Sequence, residues 1–321
     1  MKKPLLIVAK IVISTSLIAW ILQKSDLATI WDTIKQANFA LILAAFVLFY
    51  VGYLIIAKRQ HTLLKAQNIQ VTIPFLLQSF AIGMFFSNLL PSTIGGDASR
   101  MYDVWRVGGS KSKAVSVILI DRFFGMFALM IYGLIAAILS TGVRQAVPGI
   151  VVYMALGVLA MLTILWVVFG SGARLIDWFQ NLHLGPFGFI QRVANKIIAG
   201  FELFKGRGDV LIKATAWSFL LQFNVIMHFV LVAMALDIEV PIHAMFIIIP
   251  LATLLMLLPL SINGIGIRET AFVFLFGIYG VSVESAVAFA WVALAMLMVQ
   301  GVVGGIVFLL RRSLKANPAD T

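Results

Sequence analysis

The sequence contains no cysteine, and charged residues are scarce. The absence of cysteine excludes disulfide bonds, thiolate metal sites and cysteine nucleophiles. Only 12% of the 321 residues are charged, whereas 62% are apolar. A soluble domain cannot bury that much apolar surface, so this composition is typical of a polytopic membrane protein.

Motifs for several kinds of catalysis are also missing. The segment VGGSKSK lacks the first glycine of a G-x-x-x-x-G-K-[ST] phosphate loop, and neither an HExxH motif nor a serine-nucleophile elbow occurs. ATP hydrolysis within this chain is therefore not expected. We predict a protein that is not an enzyme and that uses no cofactor and no metal ion.

The formal net charge of +11 has an explanation that does not involve nucleic acid. Lys and Arg gather on the cytoplasmic side of membrane proteins, and this chain has no soluble basic domain. The basic clusters lie at 2–10, 58–65, 100–113, 174–213 and 311–315. We predict that these clusters and both termini are cytoplasmic, and that nucleic acid is not a partner.

The apolar runs are continuous rather than alternating, which favours helices over a β-barrel. They lie near 5–22, 39–57, 74–90, 114–140, 148–170, 210–236, 243–260 and 270–310. The last run is too long for one span, and Gly280, Ser282 and Glu284 divide it before a final helix near 284–310. The first run is interrupted by Lys10 and lacks an A-x-A-like cleavage site, so we expect a retained helix rather than a signal peptide.

The positions of the charged residues indicate which runs cross the membrane. Basic clusters flank 74–98 on both sides, so this segment must enter the membrane and return. The segment 243–280 lies between an external loop near Asp237 and a helix that runs inward to Arg311, so it must also return. We therefore predict one all-α polytopic membrane domain over 1–321, with six transmembrane helices and two re-entrant hairpins.

Two related motifs mark the two hairpins. LLPSTIGGDASR ends at Arg100, and LLPLSINGIGIR ends at Arg268, 168 residues later. Six of the twelve positions match, and these include Pro91 with Pro259 as well as the two arginines. An odd number of crossings separates the hairpins, so their directions are opposite.

The order of helix, hairpin and helix therefore occurs twice in opposite orientations. We predict an inverted-topology repeat with halves at about 5–140 and 148–310, followed by a short cytoplasmic tail at 311–321. Such repeats are common in secondary transporters, whose binding sites lie near the midplane between broken helices. Two interfacial loops that merely end helices are the alternative.

Proline and glycine break a helix and free backbone groups that lipid cannot satisfy. Such breaks persist where protein buries them or where they line a wet cavity. Gly96 and Gly264 are the expected flexible points. The predicted helix-break residues are Pro91, Gly95, Gly96, Pro259, Gly264 and Gly266.

Arg100 and Arg268 occupy equivalent positions in the two motifs. A guanidinium group stays protonated and can bind a phosphate or a carboxylate with two parallel hydrogen bonds. We predict that the two arginines bind an anionic headgroup from opposite faces. Alternatively, Arg100 pairs with Asp97 or Asp103, and Arg268 pairs with Glu269.

Asp121 and Arg122 lie inside the apolar run 114–140. Ionisable groups at this depth are costly unless they are paired, and they commonly mark functional sites. Adjacent helical residues point about 100° apart, so these two cannot easily pair with each other. We expect Asp121 to pair with Arg100 or Arg268, and Arg122 either to join the anion site or to extend to the interface.

Neutral polar residues complete the predicted site, although capping of freed backbone groups is an equal alternative for Ser92, Thr93 and Asn263. Gln222, Asn224 and His228 either line the cavity or bond neighbouring helices. GVVGG at 301–305 permits close helix packing, within the chain or in a dimer. The predicted substrate-binding residues are Arg100, Arg268, Asp97, Glu269, Asp121, Arg122, Ser92, Thr93 and Asn263.

Three motifs in the same order carry a family resemblance: PSTIGGDASR, VILIDRFFGM and LPLSINGIGIRETAFVFLF. Over about 5–310 the chain resembles the transmembrane domain of lysylphosphatidylglycerol synthases, whose free-standing relatives are often called flippase-like proteins. The resemblance implies a bacterial or archaeal cytoplasmic-membrane protein associated with lipid translocation between leaflets. The soluble transferase domain of the synthases has no counterpart in this sequence, so we expect no synthase activity.

Together these observations predict a lipid flippase. An anionic, phosphate-bearing headgroup, such as that of a phospholipid or a polyprenyl-phosphate-linked sugar, would pass through a polar midplane cavity. The membrane lipid is the expected partner, and a second copy of the chain or a lipid-modifying enzyme are candidate partners. The alternatives are a small-solute or ion transporter with the same architecture, and a membrane-embedded transferase that uses Asp97, Asp121 or Glu269 as a base.

Overall fold

The computed structural model describes residues 2–23, 25–89, 94–108, 110–169, 195, 200–257, 261 and 264–311. Within these residues the chain is helical and contains no strand, which confirms the predicted all-α polytopic membrane protein. The helices are α1 (Lys2–Gln23), α2 (Leu27–Lys35), α3 (Phe39–Ala66), α4 (Ile73–Leu89), α5 (Ile94–Gly108), α6 (Lys111–Leu139), α7 (Thr141–Ala146), α8 (Ile150–Phe169), α9 (Gly208–Ala235), α10 (Ile242–Leu257), α11 (Ile267–Gly277) and α12 (Val283–Leu310).

Five of these helices are long and apolar enough to cross a membrane, by length and composition: α3, α6, α8, α9 and α12. The sixth expected crossing, 5–22, is a helix within α1, and its crossing stays a prediction. The two predicted hairpins contain the shorter apolar helices α4 and α10. Each packs against the helix that follows it, α4 against α5 and α10 against α11.

Helix α3 is longer than the apolar run that predicted it. It continues past Ala57 through KRQHTLLKA to Ala66, because this polar segment contains no proline or glycine and consists mainly of residues with good helix propensity. The sequence had assigned Arg59 to a cytoplasmic loop, and this assignment is wrong. Arg59 and Gln60 lie on α3 and are buried.

Helix α5 was also not predicted, since its sequence is short and polar. Asp97 lies in its first turn and Arg106 in its last turn, so both charges favour the helix dipole. The loops expected at 23–38 and 141–147 likewise contain helices, α2 and α7. Their N-termini are capped by the side chains of Asp26 and Ser140, which accept hydrogen bonds from backbone amides.

Two apolar cores lie towards opposite ends of the spanning helices. On α3, Ala45 belongs to one core, whereas Leu63 belongs to the other. On α6, Ala137 and Phe124 are divided between the cores in the same way. The polar residues of these helices lie between the two cores, which places the candidate site midway along α3 and α6.

The contact between α4 and α12 depends on the GVVGG segment. A Cβ atom on Gly304 would collide with the backbone carbonyl of Ala81, and one on Gly305 would come 3.0 Å from the ring of Phe85. The close packing that this segment permits is therefore used within the chain, at the first arm of the first hairpin.

Candidate functional site

A cavity of about 430 Å³ lies between α3, α4, α5, α6, α9, α10 and α12. Its volume falls within the range of about 300–1,000 Å³ that is typical of ligand pockets. Much of the lining is apolar, as expected for a cavity among membrane-spanning helices. Its charged lining residues are Arg59, Asp97, Arg100, Asp121 and Arg122.

Asp121 on α6 is the central carboxylate of this group and is 1% exposed. Its Oδ1 accepts a hydrogen bond of 2.6 Å from Nε of Arg59, and its Oδ2 accepts one of 3.0 Å from a guanidinium nitrogen of Arg100. Arg59 also donates to the hydroxyl of Ser218 on α9, at 2.8 Å. One aspartate thus joins α3 to α5, and Arg59 extends the network to α9.

Arg100 on α5 is fixed by several neighbours besides Asp121. It donates to the side-chain carbonyl of Gln60 at 3.2 Å, and its guanidinium carbon lies 3.9 Å from the ring centroid of Phe80 on α4. Its Nε is buried and has no hydrogen-bond partner in the described residues. Arg100 therefore keeps one donor unused beside the cavity that it lines.

Asp97 bridges the two remaining arginines of the cavity. One oxygen lies 3.5 Å from a guanidinium nitrogen of Arg100, one turn away on α5, and the other lies 2.7 Å from Arg122 on α6. The charged residues thus form an alternating chain in the order Arg59, Asp121, Arg100, Asp97, Arg122. We call this set the charged chain.

Exposure to solvent rises along the charged chain. The side chains of Arg59 and Asp121 are 3% and 2% exposed, whereas that of Arg122 is 41% exposed. Buried ionised groups are tolerated when each has a partner of opposite charge. Three arginines and two aspartates leave an excess of one positive charge, which favours an anionic ligand at the more exposed end.

Arg268, the counterpart of Arg100 in the second motif, is buried but does not line this cavity. Its neighbour Glu269 accepts a 2.7 Å hydrogen bond from the amide of Gly266 and thereby caps α11. The structure therefore brings Arg100 together with Asp97, Asp121 and Arg122, but it does not bring Arg268 and Glu269 to the same cavity. The other expected partner of Arg100, Asp103, pairs instead with Arg311 at 2.8 Å.

The predicted helix-break glycines have different local roles. Gly96 is buried against α4, where a Cβ atom would come 2.5 Å from the carbonyl oxygen of Gly83. Gly264 and Gly266 have φ angles of 75° and 83°, a region that favours glycine. Gly95 lines a separate groove of about 610 Å³ beside α12. The flexibility of these glycines stays a prediction.

Some of the predicted site lies outside the described residues. These positions are Pro91, Ser92, Thr93, Pro259 and Asn263, together with most of the tail at 311–321, of which the structure describes Arg311.

The neutral polar residues of α9 line the cavity and also bond neighbouring helices, so both alternatives considered for them apply. Gln222 donates to the carbonyl of Gly125 on α6 at 3.1 Å. His228 contacts the carbonyl of Ala45 on α3 through Nδ1, at 2.8 Å. Asn224 lines the cavity beside Gly52, whose added Cβ atom would lie 2.9 Å from the Asn224 side-chain oxygen.

Sequence reasoning missed Arg59, Gln60 and Tyr53. A signal for Arg59 exists, because Gly52, Ile56 and Arg59 are spaced for one helix face. That spacing becomes visible only if the helix is continued beyond its apolar run.

The whole length of this arrangement corresponds to a known family. The model of the family described as "Lysylphosphatidylglycerol synthase TM region" matches residues 7–305. The chain belongs to this family. This confirms the resemblance inferred from the three motifs and supports a multi-pass membrane protein.

A relative in this family is a UPF0104 membrane protein of Pyrococcus horikoshii, an archaeon. It is 27% identical over 175 residues, which cover 53% of this chain and 50% of that protein. The match thus spans about half the length of this relative. No solved structure matches the chain.

Proposed function

We propose that this family member moves an anionic, phosphate-bearing lipid headgroup between the leaflets of the membrane through the 430 Å³ cavity. The observation that carries the proposal is the charged chain, which lines a cavity among membrane-spanning helices and has one positive charge in excess. Ionised residues at such depth are costly and commonly mark the path of a polar substrate.

Arg122 and Arg100 are the residues proposed to contact the phosphate. Arg122 is the most exposed arginine of the charged chain, and Arg100 has an unused Nε donor. Both already bind the carboxylate of Asp97, so each is oriented towards an oxyanion. A phosphate that displaces Asp97 would meet donors arranged for bidentate binding.

Asp121 and Arg59 have a different role in this proposal. Arg59 is bound to Asp121 and Ser218, and both of its ion-pair partners are almost fully buried. These residues therefore hold Arg100 in position, and they are not themselves available to a ligand. The carboxylates are held by arginines in the same way, which disfavours the transferase alternative because a general base needs a carboxylate free to accept a proton.

Alternating access requires two states, and an inverted-topology repeat supplies them. At the offset of 168 residues the bounds of α3, α4 and α6 fall close to those of α9, α10 and α12. The packing is paired in the same way: α4 packs on α12, as α10 packs on α6. Helices α3 and α9, which are equivalent, pack against each other. These pairings support the inverted repeat.

Contacts at the helix ends support two hairpins that return to their own sides. Lys113, after the first hairpin, donates to the carbonyl of Gln67, before it, at 3.4 Å. At the other end of the bundle, the amide of Asn38 donates to the carbonyl of Ala235 at 2.8 Å. We propose that the end with Lys113 is cytoplasmic, that both termini lie there, and that the membrane is the cytoplasmic membrane of a bacterium or an archaeon.

Cysteine labelling tests this topology in a chain that has no cysteine of its own. Single-cysteine variants Lys65→Cys and Ser110→Cys are expected to react with a membrane-impermeant maleimide from the same side. If the two positions react from opposite sides, the segment between them crosses the membrane, and the inverted repeat is wrong.

The proposed transport is tested with Arg122→Gln in reconstituted vesicles that contain a fluorescent phospholipid. We expect the rate of exchange between leaflets to fall by about tenfold or more, because hydrogen bonds to charged groups contribute about 1.5–3 kcal/mol. Dithionite quenching of the outer leaflet measures this rate.

The matched control is Arg106→Gln, since Arg106 is also exposed on α5's cytoplasmic half but lines the other groove rather than the cavity. This variant should exchange lipid at the wild-type rate. Equal rates for Arg122→Gln and the wild type would contradict the role of the cavity. If the wild type exchanges no lipid but takes up a small organic phosphate, the solute-transporter alternative replaces the flippase.

A further inference from the structure

We infer that the headgroup carried by this protein has uncharged hydroxyl groups beyond its phosphate, as a glycerol or a sugar has, and carries no ammonium group. This inference rests on the proposed function and specifies the class of lipid. The observation behind it is the chemistry of the cavity beyond the charged chain.

The cavity extends well beyond the arginines. The residues of α3 that line it run from Arg59 back to Phe49 and include Ile56, Tyr53 and Gly52. Ten residues of α-helix span about 15 Å at a rise of about 1.5 Å per residue. A phosphate at Arg100 and Arg122 occupies one end of this length, so the rest of a headgroup would lie against Tyr53 and Phe49. We call that region the neutral end.

The hydroxyl of Tyr53 provides the clearest sign of a ligand at the neutral end. This atom is buried and has no hydrogen-bond partner in the described part of the chain. A buried polar atom without a partner is destabilising, and such atoms are rare in native structures. A hydroxyl group of a bound headgroup would satisfy it.

Asn224 and His228 add neutral hydrogen-bonding groups from the facing helix, α9. Because a carbonyl oxygen only accepts, the contact with Ala45 fixes the proton of neutral His228 on Nδ1 and leaves Nε2 as an acceptor. The Asn224 side chain offers both a donor and an acceptor. A hydroxyl group, which donates and accepts, complements this set.

An ammonium group is poorly matched to the neutral end. The only carboxylates among the described residues that line the cavity are Asp97 and Asp121, and both are held by arginines. The aromatic rings pack edge to face with each other, with centroids 5.3 Å apart for Phe49 and Tyr53 and 5.5 Å for Phe49 and His228. A cation without a carboxylate, near a charged chain of net positive charge, would lose its hydration without compensation.

The test compares three short-chain lipids on the purified protein by native mass spectrometry: dioctanoyl phosphatidylglycerol, dioctanoyl phosphatidic acid and dioctanoyl phosphatidylcholine. All three have a phosphate, but only the first has headgroup hydroxyls. We expect phosphatidylglycerol to bind most tightly. Tyr53→Phe should weaken its binding about fivefold, the value of one hydrogen bond, and leave phosphatidic acid unchanged.

Tyr50→Phe is the matched control, because Tyr50 loses the same hydroxyl from an exposed position whose ring lies 5.9 Å from that of Tyr53. It should bind all three lipids as the wild type does. Tightest binding of phosphatidylcholine, or an equal affinity of wild type and Tyr53→Phe for phosphatidylglycerol, would overturn the inference.

The outcomes separate this inference from the function on which it rests. If Arg122→Gln weakens both anionic lipids but Tyr53→Phe weakens neither, the phosphate site stands and the hydroxyl inference fails. If Arg122→Gln weakens none of the three lipids, the proposed phosphate site itself fails.

Discussion

Replacement of Asp121 by asparagine is expected to lower the free energy of unfolding by about 3–5 kcal/mol, the range for loss of one partner from a buried ion pair. The change leaves the guanidinium groups of Arg59 and Arg100 without the carboxylate that now bonds both, at 2.6 and 3.0 Å. Neither arginine can be neutralised by losing its proton, since guanidinium stays charged in proteins. Unfolding in mixed micelles, followed by circular dichroism, measures the effect.

Asp32→Asn is the matched control for this prediction. Asp32 has the same side chain and an ion pair, but it is exposed and 3.9 Å from Lys35 on α2. Exposed pairs contribute about 0–1 kcal/mol, so this variant should unfold almost like the wild type. Equal stabilities of the two variants would show that Asp121 is not the shared counter-ion of the charged chain.

Lipid exchange should be lost together with this stability, even under conditions where Asp121→Asn is still folded. Without Asp121, nothing on α6 holds Arg100 except its contact through Asp97 to Arg122. The loss of positioning would thus affect a residue that the substrate contacts. Asp97→Asn provides the comparison, because Asp97 lies at the more exposed end and its loss should reduce exchange with a smaller loss of stability.

The importance of Asp121 was predictable from sequence, but its main partner was not. A carboxylate inside an apolar run must be paired, and this rule identified Asp121. Arg59 was hidden because it follows the apolar run of α3, where a basic residue is usually cytoplasmic. Burial of Arg59 depends on the continuation of α3 to Ala66 and on the packing of α9 beside it, and these are tertiary effects.

The symmetry of the two motifs predicted the hairpins better than it predicted the site. At the offset of 168 residues, Phe289 stands in the place of Asp121, and Met227 stands in the place of Arg59. Phe289 is fully buried in an aromatic cluster with Phe272 and Phe276. The second half therefore lacks the carboxylate that orients Arg100 in the first half. Equivalent positions in a repeat keep the same backbone role, while the chemistry is confined to one half.

The fold of the hairpin itself is tested by Gly304→Ala, which is expected to destabilise the protein by about 1–3 kcal/mol, as overpacking of a close contact does. The added methyl group would collide with the carbonyl of Ala81, a backbone atom that cannot move unless α4 moves away from α12. Helix α4 also carries Phe80, whose ring lies against Arg100, and Gly83, which packs against Gly96. We therefore expect slower lipid exchange as well, because displacement of α4 disturbs the position of Arg100.

Gly277→Ala separates this steric effect from the general effect of glycine in a helix. Gly277 is the last residue of α11, and a Cβ atom there would meet nothing within 4 Å. Alanine is favoured over glycine in helices by up to about 1 kcal/mol, so this variant should be as stable as the wild type or slightly more stable. If Gly304→Ala also keeps the wild-type stability, α4 and α12 are not held at the distance described. The link from α12 through α4 to the charged chain would then fail, and only the direct ion pairs would hold Arg100 in place.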